Sequence, residues 1–412
     1  MTVRRNGTTG RGSLLDSGLL APGLSAIGLV IVGWLSLGLL TGSLPSFTSG
    51  EGDGGGDGGP IRTPTPSNVV VVDPRADVPG LLVYVKAGNV WLQRGGRADQ
   101  LTNGGLDSMP AISPGGEWVY FVRVTPEPGR WKVNGLSRRF RLETPSLMRT
   151  PTDGTGTVET LVTGRLTTGT YTWSTFIRQP AISPDGRTAA LVTDGPDPGK
   201  RDVVLQLLDL GTLELTDLEV PQSAPLGHQD PAWSPNGRYL LYVRNGRDGT
   251  RGTPVIMRYD TTTGKSISVT GPGYTTPAWS PDGHFIAATR STAFGTDVVI
   301  LDSRGAELLR LTTDERSFSP VWSPIGDAIA YLEIDRGVTD LWLAPVDLGG
   351  TPTAGGDRLR LTIAAGLDPG SRPGWWVPAE LIPTPPPTVR PSAPPSSDTG
   401  PSDGAAPATS AP

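Results

Sequence analysis

The stretch Pro277–Gly283, PAWSPDG, followed by the β-type run FIAAT at 285–289, decides the fold. The Pro of S-P-D-G fixes φ, Asp bonds locally, and Gly supplies a positive φ, so a tight turn joins two strands. The same phrase recurs as PAISPGG from Pro110, PAISPDG from Pro180, PAWSPNG from Pro231 and PVWSPIG from Pro320. The spacings are 70, 51, 46 and 43 residues, then 53 to a degenerate PGWWVP at Pro373. A fixed repeat of this length means stacked supersecondary units.

Each clear copy is followed by an apolar run: WVYFV (118–122), TAALV (188–192), YLLYV (239–243), FIAAT (285–289) and AIAYL (328–332). A second run comes next, for example VVLQLL (203–208) or VVIL (298–301). The unit then closes on a short strand ending near Leu161, Leu215, Val269, Leu311 and Leu361. The pattern predicts one four-stranded antiparallel sheet per repeat. The apolar residue two before the turn Pro (Ile112, Ile182, Trp233, Trp279, Trp322) is expected to pack between neighbouring sheets. Their recurrence at one register is what interblade packing requires.

Copy number predicts closure. LLVYV (81–85), VWL (90–92) and Leu101-Thr102 are the last three strands of a unit that lacks its first. PGWWVP is a first strand that lacks the rest. Joining them completes a sixth sheet and removes the exposed edges of an open stack. The expectation is an all-β, six-bladed β-propeller over 75–381, one blade split across its ends.

These motifs closely resemble the TolB-like β-propeller repeat, a WD-type repeat centred on W-S-P-D-G. The resemblance covers about three quarters of the chain. Gly115 and Ile325 depart from it at the Asp position, and Ile replaces two of the Trp residues. TolB has an α/β domain before its propeller, whereas an apolar segment and a linker stand here. The resemblance implies an extracytoplasmic propeller used for binding and scaffolding. TolB-like blades also occur beside α/β-hydrolase domains in prolyl-oligopeptidase-like peptidases, and some polysaccharide lyases are propellers. Those remain the alternative. This sequence has no G-x-S-x-G nucleophile elbow, and an enzyme is not expected.

Outside the repeats, no charged residue lies between Asp16 and Glu51. The apolar stretch 19–44 is long enough for a hydrocarbon core of roughly 30 Å. Arg4, Arg5 and Arg11 precede it, within a short basic segment (1–18), and Glu51, Asp53 and Asp57 follow. The positive-inside rule predicts a single-pass signal anchor in the cytoplasmic membrane, N-terminus inside, propeller outside. Residues 45–74 read as a flexible Gly/Pro-rich linker, including SGEGDGGGDGGP at 49–60. Residues 382–412 carry ten prolines and read as a disordered tail with polyproline II character.

Composition narrows the chemistry. Gly 56 and Pro 42 make up 98 of 412 residues, which argues against a helical bundle. Cys is absent and His occurs twice, so no disulfide, thiol nucleophile, lipoprotein anchor or Cys/His metal centre is expected. No cofactor is expected. The net charge of −5 gives no attraction to nucleic acid.

Propellers bind at the channel mouth, where innermost strands begin. By register, the residues before each motif Pro face it: Asp107 and Met109, Arg178 and Gln179, His228 and Asp230, Tyr274 and Thr276, Phe318, and Arg372. This mixture suits an envelope protein or a small envelope ligand. A second candidate is an insertion in the second unit, TPEPGRWKVNGLSRRFRLETP (125–145), read as a basic loop. Arg130, Lys132, Arg138, Arg139 and Arg141 outweigh Glu127 and Glu143 by three charges, with Trp131 and Phe140 among them. Such a segment suits an acidic partner or anionic lipid.

Overall fold

The structure is a computed structural model and describes residues 68–195, 204–220, 227–245 and 254–382. Six antiparallel sheets follow one another along the chain, each running outward from a strand that begins at a common axis. Blade 2 starts with Asp107–Ile112, blade 3 with Ile177–Ile182, blade 4 with His228–Trp233, blade 5 with Tyr274–Trp279 and blade 6 with Ser317–Trp322. Blade 1 consists of Leu81–Lys86, Asn89–Arg94 and Arg97–Gln100. Its innermost strand is Gly374–Trp376, paired antiparallel with Leu81–Lys86 so that Leu81 faces Trp376 and Val83 faces Gly374. The split blade closes the ring, as the unmatched motifs predict.

The core consists of six apolar clusters rather than one. Each contains side chains from two adjacent blades, and the six together cover every junction, including the one between blades 6 and 1. A single sheet can bury one face only with a neighbour, so closure completes the burial. Trp233 and Trp322 sit at these junctions. Their Nε1 atoms donate to the carbonyls of Ala181 and Ala278 in the preceding blade, each at 3.1 Å.

The S-P-x-G turns form as the residue types dictate. Gly116, Gly186, Gly237, Gly283 and Gly326 all have positive φ, between 69 and 90°. Each turn Ser is buried, and in blades 2 to 5 its Oγ accepts the N–H of the residue five positions on, at 2.8–3.0 Å. The Leu-Thr ending of the units also gains a cause. The Thr102, Thr270, Thr312 and Thr362 hydroxyls accept the backbone N–H of Val90, Ile256, Val298 and Leu341 in the third strand of their blades, at 2.9–3.0 Å.

Two expectations change. The linker reading does not hold at the end of 45–74, where Val72 bridges to Thr362 and the Asp73 N–H donates to the Leu361 carbonyl, docking these residues on blade 6. The basic insertion is not a loop but a long hairpin, Trp118–Val133 with Leu136–Pro151, turning at Asn134 and Gly135. Both turn residues have positive φ, 50 and 81°, the two-residue geometry that matches strand twist. The apolar stretch 19–44, the start of the linker and the tail beyond residue 382 lie outside the described residues. Among the described residues no helix is long and apolar enough to cross a membrane.

Candidate functional site

The axial end of the propeller is built by one local distortion repeated five times. The residue immediately before the motif Pro is left-handed in blades 2 to 6: Met109, Gln179, Asp230, Thr276 and Ser319 have φ between 46 and 54°. The pairing register slips at the same place in each blade, between Ser108 and Ala111 in blade 2 and at the equivalent positions elsewhere. Such a bulge re-aims a side chain out of the pleat. Here it turns one residue per blade into the channel. The following Pro disfavours this backbone region, so the surrounding structure must hold it.

A chain of hydrogen bonds does so. The Met109 N–H donates to Ser371 Oγ at 2.8 Å, and the Gln179 N–H to Met109 Sδ at 3.3 Å. The Asp230 N–H donates to Gln179 Oε1 at 2.9 Å, and the Thr276 N–H to Asp230 Oδ2 at 3.1 Å. The Ser319 N–H donates to Thr289 Oγ1 at 2.9 Å, and that hydroxyl pairs with Thr276 Oγ1 at 2.6 Å. Each blade thus hands its strained N–H to a side chain of the blade before it. Gln179 Nε2 also donates back to Asp230 Oδ1 at 2.6 Å.

Arg372 lies across this ring. Its guanidinium donates to the carbonyls of Pro277 (2.8 Å) and Pro231 (3.4 Å). Burial pushes the Arg372 pKa down and that of Asp230 up, and each charge partly offsets the other's shift. The remaining cavity, lined by Met109, Gln179, Asp230, Thr276, Ser319 and Arg372 among others, holds about 60 Å³. That is space for water or the tip of one side chain, far below a substrate pocket.

The structure therefore brings together Met109, Gln179, Asp230, Thr276 and Arg372 from the sequence-derived set. The other five lie outside this lining. Asp107 is buried within blade 2, where it takes Arg123 Nε at 2.6 Å and Nη2 at 2.8 Å and the Thr102 hydroxyl at 2.5 Å. His228 is buried edge-on against the Tyr242 ring at 5.1 Å. Tyr274 donates to Glu307 Oε2 at 3.0 Å, and Phe318 packs on the cluster between blades 6 and 1. Arg178 is exposed, with its guanidinium 4.4 Å from the Phe176 ring centroid. The bulge is the reason for the division: it selects the residue next to Pro and turns its predecessors elsewhere. Ser319 and Ser371 stand among the residues just before their motif Pro, so the register already places them at the mouth. Thr289, on the second strand of blade 5, is the ring member that sequence reasoning missed.

A larger cavity, about 390 Å³, opens between blades 4 and 5 at the S-P-x-G turns and was not anticipated. Asn236, Tyr239, Arg258, Trp279, Asp282 and His284 line it. Tyr239 stacks on Trp279, with Arg238 and Arg258 guanidiniums 5.0 and 4.8 Å from its ring centroid. Unlike Trp233 and Trp322, Trp279 keeps its buried Nε1 without a hydrogen-bond partner among the described residues.

The basic insertion residues all lie on the long hairpin of blade 2. A second hairpin, Arg165–Thr168 with Tyr171–Ser174, pairs with its side through Arg130 and Thr172. Trp131 meets Trp173 edge-on at 4.9 Å and Tyr171 at 5.8 Å. These residues form an arm of four strand segments projecting from the blade.

Comparison with known proteins gives a likeness of fold. No protein-family profile and no curated protein matches the chain. Among solved structures, TolB from Acinetobacter baumannii is similar at 18% identity and a TM-score of 0.52, over 73% of this chain and 68% of that one. A putative TolB from Agrobacterium tumefaciens is similar at 17% identity and a TM-score of 0.44, over 69% of this chain and 91% of that one. An oligogalacturonate lyase from Vibrio parahaemolyticus is similar at 14% identity and a TM-score of 0.41, over 69% of this chain and 92% of that one. The propeller thus resembles that of TolB in fold.

Proposed function

We propose that this chain is a membrane-anchored, extracytoplasmic propeller that serves as a protein-binding scaffold in the cell envelope. The observation that carries the reading is the closed axial end. A space of about 60 Å³ crossed by Arg372 cannot enclose a substrate, whereas the rigid ring around it presents a fixed surface. Contact across that surface suits a protein partner better than a small ligand. Arg178, next in sequence to the ring member Gln179, is an exposed cation on an aromatic ring, a good anchor for such contact. The apolar stretch 19–44 supplies the tether, and the positive-inside rule supplies its orientation.

The test is crosslinking and affinity purification of the full chain from membranes, wild type against Arg178→Glu. Asp230 and Arg372 are unsuitable targets because they hold the ring. Loss of the captured partner from a variant of unchanged melting temperature supports the reading. An identical capture profile refutes this surface as the contact. Carbonate extraction, with and without residues 19–44, tests the tether separately.

A further inference from the structure

The arm of blade 2 carries a segregation of side chains that the propeller does not require. Register fixes the faces. Val133 opposes Leu136, Trp131 opposes Arg138 and Gly129 opposes Phe140, so these residues share one face. Arg130 opposes Arg139, Lys132 opposes Ser137 and Pro128 opposes Arg141, so four cations share the other. Although Trp131 meets Tyr171 and Trp173 of the second hairpin, the apolar residues of this arm remain substantially exposed. Trp131 is 43% exposed, Val133 41%, Leu136 64% and Phe140 40%. Four of the fifteen exposed large hydrophobic side chains among the described residues thus fall within ten positions.

We propose that this arm docks tip-first on the surface of an anionic lipid bilayer. Val133 and Leu136 flank the Asn134-Gly135 turn and form an apolar tip with Trp131 behind it. Arg130, Lys132, Arg138, Arg139 and Arg141 form a collar around the tip on both faces. A bilayer interface presents these zones in the same order, an apolar boundary under anionic phosphates, and favours Trp at that depth. The arm holds an excess of three positive charges in a chain of −5, so its charge complements an anionic surface and repels the arm of a second copy.

Distance agrees. Residues 125 to 133 extend the hairpin by roughly 27 Å. If the reading of 19–44 as an anchor holds, on which this part rests, the spacer of about 20 residues keeps the propeller within roughly 25 Å of the membrane. Tether and arm then hold the propeller at two points. An acidic protein would also satisfy the collar, but it offers no reason for Val133 and Leu136 to stand exposed at the tip.

The chain has no Cys, so Ser137→Cys allows one environment-sensitive dye beside the tip, and Thr263→Cys allows a control on blade 4. The labelled full chain is mixed with vesicles of phosphatidylcholine alone, or of phosphatidylcholine with phosphatidylglycerol. Membrane contact is read from the blue shift of the dye and from its quenching by headgroup-level spin-labelled lipid. Carbonate extraction of the same sample reports the anchor, so anchor failure and arm failure are separate readouts. The expected result is contact at residue 137 and not at 263, on phosphatidylglycerol vesicles only, and lost at high salt. Each cation at an anionic surface contributes a factor of roughly five. Arg130→Gln, Lys132→Gln, Arg139→Gln and Arg141→Gln together should therefore weaken contact by roughly 600-fold. Val133→Ser with Leu136→Ser should abolish the blue shift while leaving the melting temperature unchanged. A dye at 137 that stays in water on phosphatidylglycerol vesicles overturns the proposal. So does contact that is equal on both vesicle types and indifferent to salt, or protection of the dye only by an acidic protein.

Discussion

Asp230→Ala should be the most damaging single change at the channel, for reasons that add up from its contacts. The carboxylate takes Gln179 Nε2 at 2.6 Å and the Thr276 N–H at 3.1 Å. Removing it leaves two donors without their acceptor, at about 1–3 kcal/mol each, nearer 1 if water enters the adjoining cavity. Asp tolerates the φ of 53° better than Ala, which adds about 1 kcal/mol. Arg372 also loses the charge that offsets its burial. The total is about 3–4 kcal/mol, or a fall of roughly 6–16 °C in melting temperature at about 2–4 °C per kcal/mol. Asp230→Asn keeps the backbone tolerance and one acceptor and should cost about 1–2 kcal/mol. Urea and thermal unfolding of both variants measure this. The comparison also has a pH dependence. Burial raises the Asp230 pKa in the folded state, so its ionised form destabilises the fold above that pKa, and the cost vanishes below the unfolded value near 4. Asparagine has no such term. The deficit of Asp230→Asn should therefore be larger near pH 4 than near pH 7. Asp230→Ala within about 1 kcal/mol of wild type, or Asp230→Asn as harmful as Asp230→Ala, would refute the ring as a stabilising unit.

Two further outcomes follow from ring closure. Gly80 has a φ of 78°, and a Cβ there would lie 2.0 Å from the Trp376 carbonyl oxygen in the closing strand. Gly80→Ala should cost about 3 kcal/mol and expose the C-terminal strand to carboxypeptidase, whereas Gly96→Ala, which meets nothing, should change stability by less than about 0.5 kcal/mol. A chain ending at residue 382 should melt like the full chain. One ending at residue 372 lacks the innermost strand of blade 1 and should aggregate through the edge of Leu81–Lys86; equal melting of the two would contradict closure by Gly374–Trp376.

Much of the architecture was legible because it is local. A turn of S-P-x-G type needs Ser, Pro and Gly at fixed positions, and interblade packing needs a large apolar residue two before the Pro, so five copies announce five blades. The unpaired first and last strands then identified the sixth. The channel lining was legible only in part. Alternation along a strand places Met109 and Asp107 on one face, yet the bulge separates them: Met109 turns to the axis and Asp107 to Arg123 within its own blade. The insertion shows the same limit. Its charges and aromatics were plain, but the placing of four of the five cations on the face away from Trp131 and Phe140 depends on a register set by the Asn134-Gly135 turn.

The sequence by itself determined the number of blades, their order, the turns and the closing strand, because each follows from residue types within a single repeat. Tertiary structure alone decided what the ring does at its axis. Six strands meet there, and each strained N–H finds its acceptor on the preceding blade, tens of residues away in sequence. Only closure brings Arg372 over the carbonyls of Pro231 and Pro277 and leaves a cavity of about 60 Å³ beside it.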